Sequence, residues 1–543
     1  MVGKRCKIVF KIKGSKILIL LPLLFLITIF YLPLLKVLIQ GLNFEFFKDI
    51  YNSFYYKKII SFTVYQGLLS ALLSVLIGIP GAYLLTRYNF IGKRVFLSLS
   101  TLPFILPSIL TVLGFVLLFG NSGYLNNLLM SLFELKSPPL KILYSIKAVL
   151  LAHIFYNTPL AIRIISSRWK KIPYEVIEAS YSLGLGKIKT FFKVTIPYLT
   201  SSILTSFTLI FLYCFMSFGI ILVLGGGPNL STIEVEVYRF ARISLNIPKA
   251  ASLSIIESLF TLLILFLYLK SESREPKFID GSNLVKKISI KTGLLFSTYI
   301  IPLTLILVAP LVAIVISSFL RKEGFTGGVY FSLHWYKSIF GSLTNSFNMT
   351  SIEAIKNSLL LGLSTLLMTI PMALLVTFNI NKNFKLKSIY TILFFLPMGI
   401  SSIIIGLSYL NLNLPGSFIF IVFAHTFISL PISIRSINNI YKTIDISLIE
   451  ASESLGYRRF KTFLKVELPL IKGGIITAGV FSFSLSVGEM NASIMLAPSG
   501  FVTLPLAIYQ LIGSYNFYGA CALGSILLLL SFLSFRLMDS VDI

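Results

Sequence analysis

A twenty-residue segment occurs twice in this chain, as EASYSLGLGKIKTFFKVTIP at 178–197 and EASESLGYRRFKTFLKVELP at 450–469, identical at twelve positions and offset by 272. A segment repeated at half the chain length restricts the fold to two copies of one unit. The repeat continues without gaps upstream, where AHIFYNTPLAIRIISSRWKKI (152–172) aligns with AHTFISLPISIRSINNIYKTI (424–444). That alignment pairs His153 with His425, Pro159 with Pro431 and Arg163 with Arg435. Downstream, TIEVEVYR (232–239) resembles TLPLAIYQ (503–510) at an offset of 271.

Lipid is the solvent for most of the chain: 56% of residues are hydrophobic, 12% are charged and the mean hydropathy is +0.89. Apolar runs long enough for the hydrocarbon layer fall near 17–40, 59–85, 95–119, 148–166, 201–223 and 251–269, then near 292–317, 353–377, 388–410, 414–434, 473–495 and 519–536. The expected fold is an all-α polytopic membrane protein of about 12 transmembrane helices in two homologous six-helix halves. Residues 1–275 form the first half and 292–543 the second, joined by a linker at 276–291 within the polar stretch KSESREPKFIDGSNLVKKISIK (270–291). The first run has the basic flank of a signal peptide, but its length and its lack of a small-residue cleavage site favour a retained helix.

A formal charge of +27 would suggest nucleic acid in a soluble protein, yet the cations cluster between the apolar runs. Lys4, Arg5, Lys7, Lys11, Lys13 and Lys16 precede the first run with no acid among them. Arg87, Lys93 and Arg94, then Arg168, Lys170 and Lys171, Lys382, Lys385 and Lys387, and Arg458, Arg459 and Lys461 mark every second loop. The positive-inside rule then places both termini in the cytoplasm and makes anionic lipid, not nucleic acid, the partner of these charges. Six spans return the chain to its starting side, so the halves share one orientation and an inverted repeat is excluded.

The duplicated segment lies in a cytoplasmic loop. Each copy begins with Glu and two small residues, reaches Gly six positions on and ends in Pro thirteen positions later. This is a helix, turn, helix pattern in which Gly184 and Gly456 reverse the chain. Pro197 and Pro469 fit the first turn of the next span. An interfacial helix lying on lipid headgroups would account for a single copy. Glu, Gly and Pro kept at fixed spacing in two copies point instead to a shaped protein surface met twice.

These residues resemble the EAA loop of inner-membrane subunits of bacterial ATP-binding-cassette importers, with Ser180 and Ser452 in place of the third position's usual Ala. The resemblance covers essentially the whole chain and implies the type I importer permease fold. It further implies that Glu178, Ala179, Ser180 and Gly184, and Glu450, Ala451, Ser452 and Gly456, engage two copies of a cytosolic ATPase. A solute-binding protein on the outer face and a location in the bacterial inner membrane are implied with them. Fusion of two permease halves resembles the importers that handle thiamine or ferric iron, and LGGGPNLSTIEVEVYR (224–239) with TLPLAIYQLIGSYNFYGA (503–520) is more similar to the thiamine type.

Acids inside spans are costly and mark functional positions. Glu257 and Glu489 qualify, and neither is duplicated, since the repeat sets Glu489 opposite Ser217 and Glu257 opposite Leu527. Either would serve a cationic solute as a transient counter-charge, or else be an acid hydrogen-bonded to a neighbouring helix or near an outer boundary. His153 and His425 lack a carboxylate or Cys at ligand spacing and read as helix-packing residues. Arg163 and Arg435 sit where their side chains would snorkel to the headgroups. Cys6, Cys214 and Cys521 form no paired or metal-ligand spacing. The run Gly225, Gly226, Gly227, Pro228 lacks the Lys-Ser or Lys-Thr ending of a phosphate loop. We therefore expect no metal site, no bound cofactor and no catalysis in this chain, with ATP used by a separate polypeptide. A secondary transporter would place its repeated signature inside the membrane, and an integral-membrane enzyme would need a His, Asp or Glu cluster at the membrane face.

Overall fold

The computed structural model describes residues 15–539 apart from 91, 94–95, 98–105, 228–229, 274–285, 288–289, 323–327, 340–350, 383 and 413–416. Cys6, the basic tail through Lys13, Arg94, Pro228 and most of the expected linker lie outside the described residues. Among the described residues, ten helices are long and apolar enough to cross a membrane, or up to twelve if each of two bent pairs is one span. The bent pairs are Lys387–Gly399 with Ser402–Leu410, at 94°, and Arg459–Leu470 with Lys472–Gly488, at 72°. Prolines inside spans, such as Pro80, Pro159, Pro371 and Pro431, are tolerated where neighbouring groups re-satisfy the freed carbonyls. Strands are confined to a parallel pairing of Tyr88–Asn89 with Lys286–Lys287 and a hairpin of Leu320–Lys322 with Val329–Phe331 among the described residues.

Packing divides the chain differently from the repeat. One compact unit takes Met1–Ile39, Lys356–Ser499 and Leu533–Ile543, and the other takes Gln40–Ile355 and Gly500–Phe532. Within the first unit, the N-terminal helices are bound to second-half residues. Tyr31 donates to the Leu393 carbonyl (2.7 Å), Tyr409 to that of Ile29 (2.8 Å) and the Asn379 amide to that of Leu18 (2.7 Å). Phe25 and Phe30 lie 5.5 and 5.1 Å from the Phe427 ring.

Within the second unit, helices Phe54–Arg87, Ile146–Trp169 and Ile196–Phe215 enclose a core of Ala71, Ala161, Ile165, Leu199 and Ile210. Helix Ile290–Ser318 joins it by close approach, because a Cβ on Gly114 would come within 2.6 Å of the Pro310 Cβ. Tyr299 adds a hydrogen bond to the Ile77 carbonyl (2.7 Å).

Two apolar runs that look continuous in sequence are broken helices. Ile196–Phe215 stops before Gly219–Leu224, and Lys472–Gly488 stops before Asn491–Leu496, so that the matched positions Ser217 and Glu489 both fall in the gaps. Past residue 239 the repeat offset falls by one more, from 271 to 270, and the change is local. The π-turn Arg239–Ile243 absorbs one residue, after which Ser244, Leu245 and Asn246 align with Ser514, Tyr515 and Asn516.

Candidate functional site

Both copies of the repeated loop fold alike. Helix Tyr174–Ser182 ends with Gly184 at φ +80°, its amide donating to the Tyr181 carbonyl (2.9 Å) and that of Leu185 to the Ser180 carbonyl (3.1 Å). Helix Ile446–Ser454 ends with Gly456 at φ +86°, its amide donating to Glu453 (3.0 Å) and that of Tyr457 to Ser452 (3.2 Å). This pair of bonds is the Schellman closure, which wants Gly at the left-handed position. A short helix follows in each copy, Lys187–Thr190 and Arg459–Thr462, then a π-turn, Phe191–Thr195 and Phe463–Glu467, leading into the next span.

The predicted site residues separate into two groups. Glu178, Ala179, Gly184, Glu450, Ala451 and Gly456 are exposed, whereas Ser180 and Ser452 are buried. The buried serines explain the departure from the family pattern. Ser180 Oγ lies 3.0 Å from Thr190 Oγ1, and Ser452 Oγ lies 3.1 Å from Thr462 Oγ1, so in each copy a hydroxyl clasp ties the first helix to the second. Thr190 and Thr462 were not singled out from sequence, although the identical Lys-Thr dipeptide in both copies was the available signal. Beside the exposed acids, Leu183 (83% exposed) matches Leu455 (81%), and Ile188 matches Phe460 (76% and 73%). Exposed Lys187, Lys189 and Lys193, and Arg458, Lys461 and Lys465, flank them. Apolar knobs rimmed by charge suit a protein surface with pockets.

The roots of the loops differ. Behind the first, buried Trp169 packs on Tyr83 (5.4 Å) and Phe191 (6.2 Å). Behind the second, Tyr441 occupies the matched position and donates to Glu467 Oε2 (2.7 Å), whose other oxygen pairs with Arg459 at 2.5 Å. The guanidinium also lies 5.2 Å from the Phe378 ring, with the Lys382 ammonium 4.0 Å from the same ring. Burial, then the charge of Arg459, holds the Lys382 ammonium below the usual lysine range.

Within the spans, both histidines are buried between hydroxyls. His153 Nδ1 and Nε2 lie 2.9 Å from Ser70 and Ser217, and His425 contacts Ser486 (2.8 Å) and Ser493 (3.3 Å). These contacts fit helix packing, and among the described residues no group of three or more His, Cys, Asp or Glu could hold a metal. Arg163 is exposed and Arg435 half-buried. Cys214 and Cys521 are buried free thiols.

Glu489 accepts the Ala492 amide at 3.0 Å and so caps the half-helix after the break. Glu257 is fully buried on helix Ile247–Ser273 and belongs to the other unit. Two further buried acids, Glu234 and Glu236, went unremarked in sequence despite lying two apart in an apolar segment. Glu236 accepts from Ser231 and pairs with Arg239, both at 2.7 Å. Gly226, at φ +78°, packs its backbone where a Cβ would come within 2.6 Å of the Tyr144 Cβ, so this glycine run makes a tight reversal.

Against known proteins, the chain matches the family described as binding-protein-dependent transport system inner membrane component twice, over residues 74–275 and 338–542. It is 26% identical to the thiamine transport system permease protein ThiP of Haemophilus influenzae over 478 residues, covering 88% of this chain and 87% of that protein. It is also 26% identical to the ferric transport system permease protein FbpB of Actinobacillus pleuropneumoniae over 488 residues, covering 87% of this chain and 69% of that one. Among solved structures, a chain of a bacterial ABC transporter involved in the import of alginate matches 47% of this chain and 94% of its own length, at 16% identity and a TM-score of 0.42.

Proposed function

We propose that this chain, which belongs to the family of binding-protein-dependent transport system inner membrane components, is the permease of an importer whose solute is thiamine or a thiamine phosphate. As a member of that family it is a multi-pass membrane protein with a transport role, forming the translocation pathway of an ATP-binding-cassette importer. The observation that carries the choice of solute is the match to a thiamine permease across nearly the full length of both chains. A ferric importer is the second reading, favoured by the ferric relative, but this chain covers only 69% of that protein.

On this reading each loop receives one cytosolic ATPase subunit. Glu178 and Glu450 meet it from the exposed helix faces, while Gly184 and Gly456 shape the turns. Both termini face the cytoplasm, and a solute-binding protein delivers the solute from outside. Glu257 and Glu489 are available as counter-charges to a cationic ring, and the chain leaves its solute chemically unchanged. Supporting the docking assignment is the recurrence, in two separate units, of one helix, turn and exposed apolar set at matched positions.

The test is uptake into vesicles carrying this chain with its ATPase and binding protein, with labelled thiamine and labelled ferric iron offered in parallel. ATP-dependent accumulation of thiamine alone is expected. Accumulation of iron alone would replace the solute, and accumulation driven by an ion gradient without ATP would overturn the importer assignment.

A further inference from the structure

The two loops share their outer surface and differ in how they are fastened to the membrane span. Glu467 is fully buried, at the root of the span that follows the second loop. Its carboxylate is held by Tyr441 at 2.7 Å and by Arg459 at 2.5 Å. Arg459 Nη1 also lies 3.7 Å from Glu453 Oε1 on the loop helix itself. One guanidinium thus bridges the docking helix, the short helix after the turn and the root of the span. At the matched positions of the first loop stand Tyr181, Lys187 and Thr195, with Trp169 opposite in place of Tyr441. None of those four residues is an acid, and Trp169 packs there on Tyr83 and Phe191 beside the buried Arg168.

An ion pair with its acid buried and its guanidinium partly exposed is a poor device for stability alone, since apolar residues of similar volume often replace buried pairs without loss. What it does supply is attachment: one carboxylate is held at once by Tyr441 and by Arg459, which stand on two different elements. Glu467 has its oxygens on two different partners, so rotation of the loop about the root would break at least one charged contact in a buried setting. Motion imposed on the second docking helix therefore reaches the span as rigid rotation.

Resting on the proposed docking role of the loops, we infer that Arg459 and Glu467 are positioning residues that couple the second ATPase to its span, making the two loops unequal in the transport cycle. The first loop transmits by apolar contact and tolerates play. The second is the stiffer lever.

The experiment compares ATP hydrolysis and solute uptake by the reconstituted transporter, with its ATPase and binding protein, for wild type and for the doubly apolar variant Arg459→Met with Glu467→Met. Thr195→Val, at the position matching Glu467, is the control in the first loop. We expect the second-loop variant to insert and hydrolyse ATP while moving about tenfold less solute per ATP, within the usual range of coupling between sites. The control keeps the wild-type ratio. A wild-type ratio in the second-loop variant would overturn the inference, as would its failure to insert, which would assign the strap to folding. A wild-type chain that binds no ATPase would instead defeat the docking reading beneath it.

Discussion

The smallest functional feature is the hydroxyl clasp beneath each loop. Ser180 with Thr190, and Ser452 with Thr462, are buried pairs at hydrogen-bond distance. Changing Ser180→Ala alone leaves the buried Thr190 hydroxyl without this partner, and leaving such a group unsatisfied costs about 1–3 kcal/mol. Adding Thr190→Val removes the orphan, so thermal unfolding of the purified protein should show the double variant losing less stability than the sum of the singles. Simple additivity would argue against the clasp. Gly184 and Gly456 behave differently. Neither has anything within 4 Å of a built Cβ, and both sit at positive φ, so Gly→Ala adds only backbone strain, about 1 kcal/mol for a left-handed residue. Replacing both should lower the melting temperature slightly yet abolish ATP-driven uptake if the exposed turn is the proposed ATPase contact. Full uptake by the double glycine variant would remove the turns from the docking surface.

Among the elements, the broken spans carry the most consequence. Glu489 follows a helix that stops at Gly488 and caps the next one at Ala492. Glu489→Ala removes the cap and should cost about 1 kcal/mol of stability, whereas Glu489→Gln keeps an acceptor and removes the charge. If the carboxylate also serves a cationic solute, Gln should retain stability and raise the KM for uptake; an unchanged KM would leave Glu489 as a cap only. The break itself was not visible in the residues 201–223 or 473–495, which read as single apolar runs. No helix-breaking proline lies between Phe215 and Gly219, and the bond from Ser217 to His153 Nε2 depends on a helix remote in sequence. The loops were legible for the opposite reason. A Schellman closure is made entirely by neighbours, so the spacing from Glu178 to Gly184 states its own geometry.

For the whole molecule, hydropathy marks the apolar runs and the repeat marks two sequence halves, but neither shows which helices pack together. Partner choice rests on details such as the Gly114–Pro310 approach and the Tyr31 and Tyr409 hydroxyls. Because each compact unit draws on both sequence halves, residues 1–275 or 292–543 expressed alone should be protease-sensitive in membranes, and co-expression of the two should restore a stable pair. A protease-resistant first half on its own would contradict that dependence. The central claim is that one chain presents the same docking loop twice, and the most direct test is the number of ATPase subunits retained per chain after purification in detergent. Two are expected for wild type, one when Glu178 and Gly184 or Glu450 and Gly456 are replaced, and none when all four are replaced. Two ATPases retained by the fourfold variant would contradict it.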